Sequence, residues 1–290
     1  MTAMENQNLH NARRTWLITG VSSGLGLAFA QAALAAGHTV IGTVRKEADV
    51  AQFEELSDGH AHAIVLDISD FAAIEPAVAQ VVQATGLIDV LVNNAGYGHE
   101  GTLEESPLED LRRQFDVNVF GAVAMIKAVL PQMRERRSGC IVNITSMAGI
   151  AALPGIAYYS GSKFALEGIS ASLAQEVAPF GVRVIAIAPG SFRTDWAGRS
   201  MVRAHRHIAD YDALFDPIRD ARKAKSGVQA GAPEKAAQVL LKMVEEEQAP
   251  RHLLLGSDAL KLVRARIDAL SAELDQWEPV TQSTDYLPLP

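Results

Sequence analysis

Cysteine is nearly absent from this chain of 290 residues: Cys140 stands alone. An intrachain disulfide is therefore excluded, and so is a zinc site built on several thiolates. Cys140 falls in the apolar run Cys140-Ile141-Val142 and reads as a buried strand residue, not as a nucleophile. No cluster of His, Cys and carboxylates has zinc-ligand spacing, so no metal is expected; His205 and His207 read as surface or lid residues. Uninterrupted apolar runs fall short of the ~18–20 residues that span a bilayer, and no membrane partner is expected. Basic residues are also in deficit, 26 against 34 acidic ones, for a net charge of −8. That balance argues against a nucleic-acid surface. Residues 1–14 are polar and lack the apolar centre of a secretory signal. They read as a disordered tail, and the expected location is cytoplasmic.

What is present is ordinary globular composition, 48% hydrophobic and 21% charged. Short apolar runs at 15–19, 39–44, 61–66, 88–92, 139–145 and 182–188 do not alternate with polar residues. Such runs suit strands buried on both faces of a parallel sheet. Amphipathic segments lie between them at 25–36, 71–84 and 108–136. Ser106-Pro107-Leu108-Glu109 predicts the start of the long helix, with serine as N-cap, proline first and glutamate third. The alternation predicts an α/β fold, a Rossmann-type doubly wound parallel sheet of about seven strands with helices on both faces. After Pro189-Gly190 regularity stops, and residues 191–230 read as an irregular substrate-lid insert. Gly231-Ala232-Pro233-Glu234 opens a further helix, followed by a strand at 253–255, a helix at 258–274 and a tail over 276–290. The expectation is one oxidoreductase domain over 15–275.

Thr19-Gly20-Val21-Ser22-Ser23-Gly24-Leu25-Gly26 follows the first strand and opens the first helix. Glycines there let the backbone approach a pyrophosphate, and the helix N-terminus stabilises its charge. The second strand ends Val44-Arg45-Lys46, without the acidic residue that would hold a ribose 2′-hydroxyl. Arg45 can instead grip a 2′-phosphate with two hydrogen bonds. NADP is therefore preferred as cofactor, with NAD as the alternative.

Tyr159 and Lys163 are four apart on a predicted helix and share a face, with Ser146 thirteen residues before the tyrosine. A free phenol has a pKa of about 10. A cation held beside it favours the phenolate, and lowering that pKa by ~2–3 units is worth roughly 3–4 kcal/mol. Such a tyrosine can pass a proton to or from an alcohol oxygen that a serine hydroxyl holds.

In order, the motifs are the 19–26 turn, Asn93-Asn94-Ala95-Gly96, Ser146 with Tyr159 and Lys163, and Pro189-Gly190 with Thr194. Together they resemble the short-chain dehydrogenase/reductase family, over residues 15 to about 195. The resemblance implies a catalytic tetrad of Asn118, Ser146, Tyr159 and Lys163, with Lys163 on the nicotinamide ribose and Asn118 holding a water. It implies cofactor contacts from Gly20, Ser22, Ser23, Gly24, Leu25 and Gly26 in the first turn. Further contacts are implied from Asp67 and Ile68 near the adenine, and from Asn94, Ala95 and Gly96 beside the adenosine half. Pro189, Gly190, Phe192 and Thr194 fall at the nicotinamide end, and Arg45 at the position of the basic residue of NADP-preferring members. One departure is Ser23, which is not the extra basic residue that some of those members carry.

The implied reaction is reversible hydride transfer between a nicotinamide and a carbonyl/secondary alcohol, with a small molecule as partner and a homodimer or homotetramer as assembly. Two competing readings are an epimerase or dehydratase of the extended relatives, whose glycine spacing differs, and a catalytically silent NADP-sensing protein. The expected pocket lies between 97–100, 147–153 and 191–215, whose apolar and aromatic side chains favour a hydrophobic ketone or alcohol.

Overall fold

A computed structural model describes residues 13–198 and 200–286. The predicted N-terminal tail therefore lies, up to residue 12, outside the described residues, as do the last four positions of the C-terminal one. The chain runs β1 (Thr15–Ile18), α1 (Gly24–Ala35), β2 (Thr39–Val44), α2 (Val50–Glu54), β3 (Ala61–Val65), α3 (Phe71–Thr85), β4 (Val90–Asn93) and β5 (Gly98–Glu100). It continues α4 (Leu108–Phe115), a π-helical turn (Asp116–Gly121), α5 (Ala122–Arg136), β6 (Gly139–Ile144), α6 (Ala157–Val177), β7 (Val182–Pro189) and β8 (Met201–Arg203). α7 (Asp212–Ala224), α8 (Pro233–Glu245), β9 (His252–Leu255) and α9 (Ser257–Gln282) complete it.

Seven strands pair in parallel in the order β3-β2-β1-β4-β6-β7-β9, while β5 and β8 form a small separate ladder. Successive strand residues face opposite ways, and both directions are apolar. Trp16 and Ile18 pack with Phe29 of α1 and Leu240 of α8, whereas Leu17 packs with Ile74 of α3 and Met125 of α5. Burial on both faces is why the strand runs lack polar alternation. The order reverses between β1 and β4, which opens a crevice at their carboxyl ends, where ligands of such sheets bind.

The segment Leu108–Arg136 is long and apolar enough to cross a membrane by length and composition. Its apolar face is instead taken up by the sheet: Met125, Val129 and Met133 are fully buried against it. Where one continuous helix was expected, a π-helical turn interrupts it at 116–121. The predicted N-cap also shifts. Pro107 occupies the cap position, and the Ser106 hydroxyl donates to the Thr102 carbonyl at 2.6 Å instead of capping.

The 191–230 insert is more regular than its sequence suggested, since it contains β8 and α7. Within α7 only the Phe215 side chain is buried, and charged residues occupy much of the rest of the helix. Ion pairs to two buried glutamates dock it. Glu100 meets Arg203 (3.1 Å), Arg219 (3.3 Å) and Arg222 (3.0 Å), and Glu105 meets Arg206 (2.9 Å). Arg206 also reaches Asp212 and Asp216 and lies 4.8 Å over the Phe215 ring. Glu100, expected in the pocket wall, is thus a buried anchor. α9 runs to Gln282 through Pro279, past the end at 274 that its pattern suggested.

Burial pushes the Glu105 carboxyl up, but bonds from the His207 and Ile208 amides, Thr102 and Arg206 more than offset this and hold it at about 2, against 4.5 for a free glutamate. A carboxylate lowered on folding stabilises the docked insert above pH 4.5, and that stabilisation is lost as the pH falls towards 2. At neutral pH, Glu105→Gln should raise tryptic cleavage after Arg203, Arg206, Arg219 and Arg222 on the order of tenfold, with the sheet still resistant. Cleavage at the wild-type rate would remove Glu105 as the anchor.

Candidate active site

The glycine-rich turn joins β1 to α1. Gly20 and Gly24 adopt φ of +73° and +61°, which side chains rarely allow. A Cβ at Gly26 would overlap the Gly20 carbonyl and the Asn94 amide, so the helix can start this close to the strand only as glycine. Ser23 makes no side-chain cap and the first turn of α1 carries no acid, which leaves the N-terminal end of the helix open to an anion. The turn therefore fits a pyrophosphate. The Asn94 side chain is occupied, donating to the Thr19 (2.9 Å) and Gly20 (3.1 Å) carbonyls, so it braces the turn. Ala95 stands against Gly20, and Thr194 beyond β7 stands beside Gly24. Leu25 and Phe192 are half-buried against the core, and Ile68 is buried. Gly190 donates to the Leu255 carbonyl, and the carboxylate of Asp258 packs against it.

Arg45 is exposed just past β2, and its charge reaches the exposed Asp67 beyond β3. Partial burial pushes the Asp67 carboxyl up, but two hydrogen bonds from Ser69, with Arg45, leave it below the usual carboxylate value. A basic and an acidic group thus flank the outer end of the crevice.

The inner end is buried. Asn118, in the π-helical turn, accepts from the Tyr97 amide (3.1 Å) and donates to the Tyr97 carbonyl (3.1 Å) and to Ser162 Oγ (3.1 Å). Lys163 Nζ donates to the Ile144 carbonyl at 2.8 Å and lies 5.8 Å from the centre of the Tyr159 ring. A Cβ on Gly96 would sit 3.0 Å from Asn118 Oδ1 and 3.6 Å from Lys163 Nζ, so the turn after β4 touches both. Ser146 follows β6, and its Oγ accepts from the Ala148 amide at 3.1 Å. The four residues expected as a tetrad therefore converge.

Their acidities differ from the sequence expectation. Burial pushes the Tyr159 hydroxyl up to about 12, with its hydrogen bond to Ser146 pulling the other way. Burial pushes Lys163 down to about 8, opposed by the charge of Glu167. In the protein chain by itself the lysine does not turn the tyrosine into a phenolate, because desolvation acts against both charged forms.

Sequence reasoning missed two contributors, Glu167 and the Asn93–Asn143–Ser170 chain, whereas Trp196 and Leu153 belong to the expected pocket wall. Glu167, one turn beyond Lys163, accepts from Thr145 Oγ1 (2.5 Å) and His252 Nδ1 (2.7 Å). The Asn93 amide donates to Asn143 Oδ1, and Asn143 donates to Ser170 Oγ, both at 2.8 Å, beneath the site. Trp196 tilts over Tyr159 with ring centres 5.1 Å apart and, with Leu153, packs against Ala148, Ile156 and Tyr159. Polar residues at 159, 163, 167 and 170 on one helical face were the available signal for the two that were missed.

A parallel sheet with an anion-ready turn at its switch point and a buried Ser/Tyr/Lys cluster beyond it defines a dinucleotide-type oxidoreductase fold. More narrowly, the chain belongs to the short-chain dehydrogenase family, whose model, described as short chain dehydrogenase, matches residues 14–203. The 3-ketodihydrosphingosine reductase of Bacteroides thetaiotaomicron is 37% identical over 265 residues, covering 91% of this chain and 92% of that protein. The NADPH-dependent 3-dehydrocapnine reductase of Ornithobacterium rhinotracheale is 37% identical over 206 residues, 69% of this chain and 73% of that one. Among solved structures, a short-chain dehydrogenase from Streptomyces avermitilis superposes with a TM-score of 0.89 at 40% identity, covering 95% of this chain and all of its own.

A lysine whose pKa is lowered on folding destabilises the fold while charged, and that cost lifts as the pH rises from about 8 towards 10.5. Urea unfolding at pH 7.5 and 9.5 should therefore show wild type gaining on Lys163→Met by ~1–2 kcal/mol. An unchanged difference would mean that Lys163 is not buried as described.

Proposed function

We propose that this oxidoreductase reduces a hydrophobic ketone to a secondary alcohol with NADPH, reversibly, using Tyr159 as the proton-transferring group. The observation that carries the reading is the buried convergence of Tyr159, Ser146 and Lys163. With its pKa near 12, Tyr159 carries its proton at neutral pH, the form that a reductive acid needs. Ser146, already bonded to that hydroxyl, can hold a carbonyl oxygen beside it. Lys163 and Asn118 are fixed by backbone carbonyl and amide partners and so present a constant geometry.

The 19–26 turn and Thr194 would hold a nicotinamide cofactor along the crevice, and it would supply the hydride when bound. For its phosphorylated form the support is Arg45, placed past a β2 end that lacks an acidic residue. The relative named as NADPH-dependent agrees with this. For a hydrophobic ketone the support is the apolar wall of Leu153, Ile156 and Trp196 over Tyr159, together with a relative named for a 3-keto substrate.

Tyr159→Phe should bind NADPH as wild type does, by fluorescence titration, and lose on the order of 10²–10⁴-fold in kcat on a panel of hydrophobic ketones. Near-normal turnover would sink the proton-transfer role. Arg45→Ala should weaken NADPH binding about tenfold to a hundredfold and leave NADH binding unchanged. Equal weakening of both would show that Arg45 does not read the 2′-phosphate.

A further inference from the structure

α9 leaves the domain as an exposed helix. Its first turns pack down through Ala259 and Val263, and every described residue from 264 onwards is exposed. At 1.5 Å per residue its 26 residues reach about 39 Å. The exposed part is not polar all round. Ile267, Leu270, Leu274, Trp277 and Val280 are 55%, 40%, 61%, 56% and 57% exposed. The exposed apolar positions of the seam run 267, 270, 274, 277, alternating steps of three and four. That is the seam of a coiled coil, and a lone helix does not keep such a seam in water without a partner.

The charges select the partner. Along the exposed part of the helix Arg264 and Arg266 stand at the start, Asp268 near the middle, and Glu273, Asp275 and Glu278 at the end. Two copies in parallel would set base against base and acid against acid. Two copies in opposite directions set the basic half of each against the acidic half of the other, along one continuous apolar seam. An anionic membrane is a poorer match, because Leu274, Trp277 and Val280 stand among the acidic residues. We propose that α9 pairs with α9 of a second copy of this chain as an antiparallel two-helix coiled coil about a two-fold axis. This inference is independent of the catalytic reading.

The test measures solution mass by sedimentation equilibrium of the full chain. Arg264→Glu with Arg266→Glu makes every charged position of the helix from 264 onwards acidic and should halve the mass of the assembly, or weaken it more than tenfold, with an unchanged thermal unfolding midpoint for the domain. Adding Glu273→Arg and Glu278→Arg to the same chain should restore the assembly, since antiparallel copies again present opposite charges. Leu270→Asp should dissociate it without rescue by either charge set. Three results would overturn the proposal: a mass unaffected by Leu270→Asp, a loss that the second pair of reversals does not repair, or phosphatidylserine-vesicle binding that depends on Trp277 with no self-association.

Discussion

The contact between the polar face of α6 and the end of β6 is what the rest of the site depends on. Lys163, Glu167 and Ser170 are 5%, 8% and 2% exposed on a helix that lies against the sheet. A buried polar group without a partner costs about 1–3 kcal/mol, and a charge costs more. Each of these three finds its partner at consecutive positions of one strand end: Ser170 at Asn143, Lys163 at Ile144, Glu167 at Thr145. A slip of α6 by one turn would break all three of these bonds at once. The register that places Tyr159 beside Ser146 is therefore set by bonds that take no part in the proposed proton transfer.

The opposite wall is held by different means. Within Leu108–Arg136 the π-helical turn carries Asn118 inward, to close on both backbone groups of Tyr97. Such turns disrupt regular helix bonding and are found at functional positions. On the side of the insert, Glu100 and Glu105 are both buried and act as fixed negative centres around which four arginines of the 203–222 segment gather. The insert thus rests on charge where the sheet rests on apolar packing, and Trp196 brings an apolar ring from that insert onto Tyr159.

These differences explain what the sequence disclosed. Strands buried on both faces announce themselves as unbroken apolar runs, so the sheet and its crevice were legible, as were the residues that converge there. The π-helical turn was not, since Asp116-Val117-Asn118-Val119-Phe120-Gly121 keeps helix-compatible residues and changes only the hydrogen bonding. Ion pairs were hidden because Glu100 meets Arg203 and Arg222 from 103 and 122 residues away, and composition shows charges but not their partners. The acidity of Tyr159 was misjudged for a related reason. A four-residue spacing shows that a cation is near, whereas the dominant effect, loss of water around both groups, is a property of the folded cluster.

The buried polar seam also limits how the fold can be stabilised. Two ionisable side chains set deep against a sheet cost several kcal/mol before their partners are counted. The apolar clusters on the two faces offset this with ease, since Trp16, Leu17, Ile18, Phe29, Leu91 and Ile141 are each at most 1% exposed and each such side chain contributes about 1.5–3 kcal/mol. The cluster therefore does not need to be the most stable arrangement of its own residues; it needs a sheet strong enough to hold it. Replacing Lys163 or Glu167 alone would take a partner from the Ile144 carbonyl or the Thr145 hydroxyl, whereas apolar residues of similar size at both positions would remove the desolvation cost together with the bonds. Stability alone gives no reason to retain a lysine and a glutamate one turn apart under the sheet. The reason lies in what their charges and bonds do to Tyr159, Ser146 and the carbonyl of Ile144.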